Sequence, residues 1–174
     1  YWTKTESKSN YGKRLRQLID GSKPEEIYFD GDLEKEKSGS KYFGVGTVNV
    51  SHSDEFLAYS LDLQGSEYYT IFVRDLIKNS IREEKIENTS GAVTWGLDSK
   101  SFFYCKLDEY HRPRQIFKHN LGTPNDTDEL IFEEKDETFT CSISLTADET
   151  FFIISTSDHI STEEYYFSST EKNI

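Results

Sequence analysis

The sequence predicts an all-β fold, a β-propeller fragment of about three to four blades built from four-stranded antiparallel sheets. Three observations predict it. Aromatic residues reach 14% while hydrophobic residues make up only 34%, and a polar chain with many short aromatic and β-branched runs suits sheet better than helix. The runs are bounded by Gly, Asp, Asn and Ser clusters, the punctuation of strands and turns. The pattern also repeats. "SHSDEFLAYS" (51–60), "LDSKSFFYC" (97–105) and "LTADETFFII" (145–154) each set a Ser-, Asp- or Thr-rich turn before an apolar run. Tyr59 and Tyr104 lie 45 residues apart, Tyr104 and Ile153 49 apart. A four-strand unit returning at this spacing is the signature of propeller blades.

The elements follow in order. Strands are expected at 1–5, 14–19 and 26–29, with Gly21-Ser-Lys-Pro as a turn. Residues 30–41, "DGDLEKEKSGSK", have helical propensity in the middle but no apolar face, so they read as a polar connection rather than a packed helix. Four strands follow at 44–50, 56–62, 69–75 and 81–86, then four at 92–95, 102–107, 115–119 and 130–132, then three at 138–144, 151–156 and 164–167. The chain divides accordingly into the end of one blade (1–41), two blades (42–88 and 89–136) and an incomplete blade (137–174). The first strand of each unit is expected to line the central channel. Uncovered flanks would favour self-association through open blade edges.

Net charge is −12. An acidic surface argues against nucleic acid, whose phosphates need a basic face, and against an anionic membrane surface. It suits solubility or cationic ligands. No apolar run is long enough to span a membrane as a helix. Cys105 and Cys141 sit in separate strand-like runs outside any CxxC or Cys/His cluster, the usage of a cytosolic chain with reduced thiols. Asn49, Asn88 and Asn125 match the glycosylation acceptor pattern by chance in a Ser/Thr-rich chain.

Chemical equipment is sparse. The nearest approach to a serine nucleophile elbow, Ser38-Gly39-Ser40-Lys41-Tyr42-Phe43-Gly44, lacks the G-x-S-x-G spacing. His52, His111, His119 and His159 have no second ligand at metal spacing and read as surface-turn residues. Asp30-Gly31-Asp32 and Asp126-Thr127-Asp128 resemble calcium loops only faintly and read as turn acids. Glu133-Glu134-Lys135-Asp136-Glu137 reads as a solvated inter-blade crossover. Lys4, Lys8, Lys13, Arg14 and Arg16 read as a solvated outer edge. No catalytic, cofactor-binding or metal-binding residue is assigned, and no cofactor is expected.

"QIFKHNLGTPNDTDELIFEEKDETF" (115–139) resembles the propeller of the prolyl oligopeptidase family, and its oligopeptidase B branch most. The shared order is an aromatic strand, His, Leu-Gly-Thr-Pro, a polar loop, an apolar strand, then an acidic run before an aromatic strand. Residues 42–76 and 142–167 resemble the flanking blades. The resemblance implies a seven-bladed propeller capping an α/β-hydrolase domain in a serine peptidase that admits short peptides. It implies cleavage after Arg or Lys, and a triad in the hydrolase domain, outside these residues. The implied partners are that C-terminal domain and short basic peptides. The competing expectation is a stand-alone peptide- or protein-interaction propeller module.

Overall fold

A computed structural model of the chain describes residues 1–7 and 9–170; Lys8 of the basic cluster lies outside the described residues. The molecule is all-β, a propeller fragment of antiparallel sheets. Three hydrogen-bonded sheets form. The first holds β1 (Trp2–Lys4), β2 (Lys13–Arg16) and β3 (Glu26–Asp30). The second holds β4 (Gly44–Val50), β5 (Phe56–Asp62), β6 (Tyr69–Asp75), β7 (Ser80–Trp95), β8 (Ser101–Leu107), β9 (Pro113–Asn120) and β10 (Glu129–Glu133). The third holds β11 (Thr140–Leu145), β12 (Phe151–Ser157) and β13 (Thr162–Ser168). Within each sheet, strands adjacent in sequence pair antiparallel.

The seven-stranded sheet is two four-stranded units sharing one strand. The sequence suggests separate strands at 81–86 and 92–95, but β7 runs unbroken for 16 residues. Its first half pairs with β6, from Asp75↔Ser80 to Tyr69↔Thr89. Its second half pairs with β8, from Thr89↔Lys106 to Trp95↔Phe102. Asn88 and Gly91 take positive φ, 60° and 85°, and bend the strand between its partners. Thr89 keeps the bend bonded: its hydroxyl donates to the Tyr69 carbonyl and accepts from the Gly91 N–H.

The sheets pack face to face, and one strand feeds two interfaces. In β5, Leu57, Tyr59 and Leu61 face a cluster with Tyr28, Phe29, Phe43 and Leu76. Ala58 between them faces a second cluster with Ile71, Val73, Ile86, Val93, Trp95, Phe102 and Tyr104. β8 repeats the device: Phe102 and Tyr104 face the second cluster, while Phe103 and Cys105 face a third with Ile116, Cys141, Phe152 and Ile154. A strand covered on both sides loses polar alternation, which is why "FLAYSL" and "FFYC" read as continuous runs. Each such aliphatic or aromatic side chain contributes roughly 1.5–3 kcal/mol of burial.

Residues 30–41 correct the sequence expectation. Gly31–Ser38 form an α-helix, α1, that follows directly on β3 and is bonded to β6 through Glu34. The Asp30 carboxylate caps it by accepting the Leu33 N–H, and Gly39 closes it at φ 61°. Acids fill its first turn and lysines its last, matching the helix dipole. What docks it is a charge. Glu34 is 6% exposed and accepts from Arg74 Nη2 at 2.9 Å. Arg74 stacks on the Tyr59 ring at 5.3 Å. A search for an apolar face has nothing to find in such a helix.

Candidate functional site

The repeated turn-then-apolar-run motif positions the candidate site. In each copy a backbone N–H at the turn's start bonds across the hairpin: Ser51 to Phe56, Gly96 to Ser101, Thr146 to Phe151. The fourth residue, Asp54, Ser99 or Glu149, bonds back to the first and takes positive φ. The three turns converge. The Ser53 N–H donates to Ser99 Oγ at 2.8 Å, and His52 Nδ1 stands 3.5 Å from Glu149 Oε1.

The strands leading into these turns are knitted as well. Asn49 Nδ2 of β4 donates to the Val93 carbonyl of β7 at 3.0 Å, and Trp95 Nε1 returns a bond to the Asn49 carbonyl at 3.0 Å. Thr94 Oγ1 of β7 donates to the Ile143 carbonyl of β11 at 3.0 Å. β4, the second half of β7 and β11 thus form one continuous wall, the strands expected to line the channel. Its sequences, "GVGTVNV", "TSGAVTW" and "TCSISL", contain no charged residue, although charged residues make up 30% of the chain. Its exposed positions are small: Gly46, Ala92, Ser142 and Ser144. Such a wall presents neither charge nor bulky exposed side chains.

A family model described as the prolyl oligopeptidase N-terminal β-propeller domain matches residues 1–174. The chain belongs to that family. Protease 2 of Moraxella lacunata is 32% identical over 134 residues, which is 76% of this chain and 19% of that protein. Oligopeptidase B of Leishmania major superposes with a TM-score of 0.89 at 24% identity, covering 98% of this chain and 24% of that one. Oligopeptidase B of Trypanosoma brucei, in its closed form with covalently bound antipain, gives 0.84 at 26% identity, with 99% and 24% covered. The chain therefore spans about a fifth to a quarter of the relatives it matches.

In this oligopeptidase propeller, the histidine expectation needs one correction. His52, His111 and His159 lie in turns or bends, but His119 is fully buried in β9. Its Nδ1 stands 2.7 Å from Asp128 Oδ1, and Tyr104 donates its hydroxyl to Asp128 Oδ2 at 2.9 Å. Burial, then the Asp128 carboxylate, push the Tyr104 phenol far above its ordinary value, so it stays a donor. His119 Nε2 has no hydrogen-bond partner among the described residues. Asp128 is thus not a solvated turn acid: burial forces it to be paired, and it ties β8 and β9 to the start of β10. The sequence signal was position, since His119 falls in phase with Phe117 along a strand.

The other acids serve structure. Asp30 caps α1, and Asp32 accepts from the Ser9 hydroxyl and from the Asn10 N–H. In the run 133–137, Glu133 accepts from Gln115 and the Glu134 carbonyl accepts from the Arg114 guanidinium. Arg82 and the Gly122 N–H outweigh the cost of burying Glu84 and hold its carboxyl below the usual carboxylate range. Arg82, Glu84 and Gly122 line a cleft of about 540 Å³ with Glu83, Thr123, Pro124 and Asn125. Three members of the basic cluster have partners: Lys13 pairs with Glu6, Arg16 with Glu26, and Arg14 donates to the Thr3 hydroxyl. Ser38 donates to the Lys35 carbonyl at the end of α1. Among the described residues no group of three or more His, Cys, Asp or Glu could hold a metal ion, and no helix is long and apolar enough to cross a membrane.

Proposed function

We propose that this chain is the substrate-gating portion of a serine oligopeptidase that cleaves short peptides after Arg or Lys. The serine, aspartate and histidine of the triad lie in an α/β-hydrolase domain outside these residues. The blades run 42–88 and 89–136, flanked by parts of two others at 1–41 and 137–174, and the protein works in the cytosol. One observation carries the reading: a propeller of this family whose converging inner strands present a small-residue, uncharged wall. Such a wall passes a flexible, extended peptide and stops a folded protein. Sequestration behind it keeps water and wrong substrates from the chemistry.

The test is a specificity profile of the full-length protein on fluorogenic peptides with Arg, Lys, Pro or Phe before the scissile bond, each in a short form and embedded in a folded domain. Turnover is expected on short Arg and Lys peptides, with the embedded forms resistant. This chain alone is expected to turn over none of them. Cleavage after Pro as efficient as after Arg would remove the basic-residue assignment. Equal cleavage of embedded sites would remove the sieve. Turnover by the isolated chain would place catalysis inside the propeller.

A further inference from the structure

Cys105 and Cys141 meet across an interface between sheets. Cys105 lies on β8 and Cys141 on β11, and the two are 3% and 2% exposed. Both are free thiols, and Cys105 Sγ lies 3.6 Å from the Cys141 carbonyl oxygen. The neighbouring Cys105 side chain, followed by burial, pushes the Cys141 thiol far above its ordinary value. Around them stand Phe103, Ile116, Phe152 and Ile154. They are the two cysteines of this sequence, and they lie on strands of neighbouring sheets.

We infer that Cys105 and Cys141 are a modification site, a reversible disulfide that covalently joins the β11–β13 sheet to the sheet that carries β8. The geometry carries this: two free, buried thiols on separate sheets share one packed cluster, and Cys105 Sγ lies 3.6 Å from the Cys141 backbone carbonyl. The co-reactant is a small-molecule disulfide of the oxidised-glutathione class. One protein thiolate attacks a sulfur of that disulfide and expels the first small thiol, leaving a mixed disulfide. The second protein thiolate then displaces the other half. Two protein thiols have become one S–S bond, and the small disulfide has become two thiols that carry the two hydrogens. A thiol held protonated in an apolar pocket reacts slowly, because only the thiolate is a nucleophile. The bond is therefore slow to form and, once buried, slow to be reduced. It is a slow, oxidation-dependent staple rather than a fast sensor. Closing the stretch between the two strands restricts the unfolded chain and holds the two blades together.

The test is oxidised glutathione, then dithiothreitol, applied to the full-length folded protein, read by peptide mapping and by thermal unfolding. The expected product is a single intramolecular Cys105–Cys141 cross-link with unchanged oligomeric size, a thermal midpoint raised by roughly 5 °C or more, and full reversal by dithiothreitol. Cys105→Ala and Cys141→Ala each should abolish both the cross-link and the oxidant-dependent rise, whatever their own baseline stability. Separate glutathione adducts on the two cysteines, a cross-link that forms only in denaturant, or no loss of free thiol after prolonged exposure would each overturn the assignment.

Discussion

Asp62 shows what the many acids of this chain do. It is 1% exposed, yet its carboxylate accepts backbone N–H bonds from Gln64, Gly65 and Glu67 at 2.8–2.9 Å. Burial alone would raise its pKa; the N–H groups outweigh burial and hold the carboxyl below the usual carboxylate range. Asp75, Asp98, Asp108, Asp136 and Asp158 take the same role in other turns, each accepting an N–H two residues on. Asx turns of this kind explain why short strands alternate with acidic loops. The sign of the pH effect follows. A carboxyl whose folded pKa lies below its unfolded value of about 3.9 contributes fully above that value and loses the contribution as pH falls through the folded pKa. The thermal midpoint of the protein is therefore expected to drop steeply below about pH 4. Asp62→Asn should cost about 1–3 kcal/mol at neutral pH, because an amide N–H₂ faces backbone donors, and its midpoint should fall less steeply in acid. Parallel pH profiles for the two proteins would show that Asp62 is not a source of the acid sensitivity.

Among the elements, β7 and α1 mark the limits of what the sequence discloses. The hydrophobic runs of β5, β6, β8 and β12 are legible because both sheet faces need apolar partners, and their bounds fall within a residue or two of expectation. The strands at 44–50 and 92–95 are legible as short β-branched runs bounded by turn residues. The joining of 81–86 to 92–95 was not legible, because "ENTSG" reads as a loop when its bonding to Tyr69 is unseen. α1 was missed because Arg74, its anchor, is far away in sequence. His119 and Asp128 were read as surface groups because burial of a polar pair depends on both arriving together. Gly91 offers the sharpest test at this scale. Its φ of 85° suits glycine, and a Cβ there would stand 2.8 Å from Tyr69 Cγ and 3.1 Å from Ser60 Oγ. Ser60 Oγ already donates to the Gly91 carbonyl at 2.7 Å. Gly91→Ala is expected to cost at least about 2 kcal/mol, combining backbone strain with the clash. Denaturant midpoints within experimental error of the parent would mean that β7 can bend there without glycine.

At the scale of the molecule, charge and shape are separated. The inner strands carry no charge, while the turns and outer strands carry a net −12. A neutral wall framed by an acidic exterior has a distinct kinetic consequence. Under the proposed function, the exterior field should raise the local concentration of cationic peptides and speed their arrival, decaying over about 8–10 Å at ordinary salt. The wall itself adds no charged trap that would slow passage. Steering should therefore act on association and leave the later steps alone. Two peptides with the same Arg before the scissile bond separate the effects, one flanked by extra Lys and the other by Glu. In the full-length protein, kcat/KM for the Lys-flanked peptide is expected to fall roughly three- to tenfold between about 10 mM and 300 mM salt, with kcat unchanged. The Glu-flanked peptide should gain, because the same field repels it until salt screens it. If both peptides respond to salt alike, the acidic exterior serves solubility, and selection for basic substrates rests on contacts made beyond the propeller.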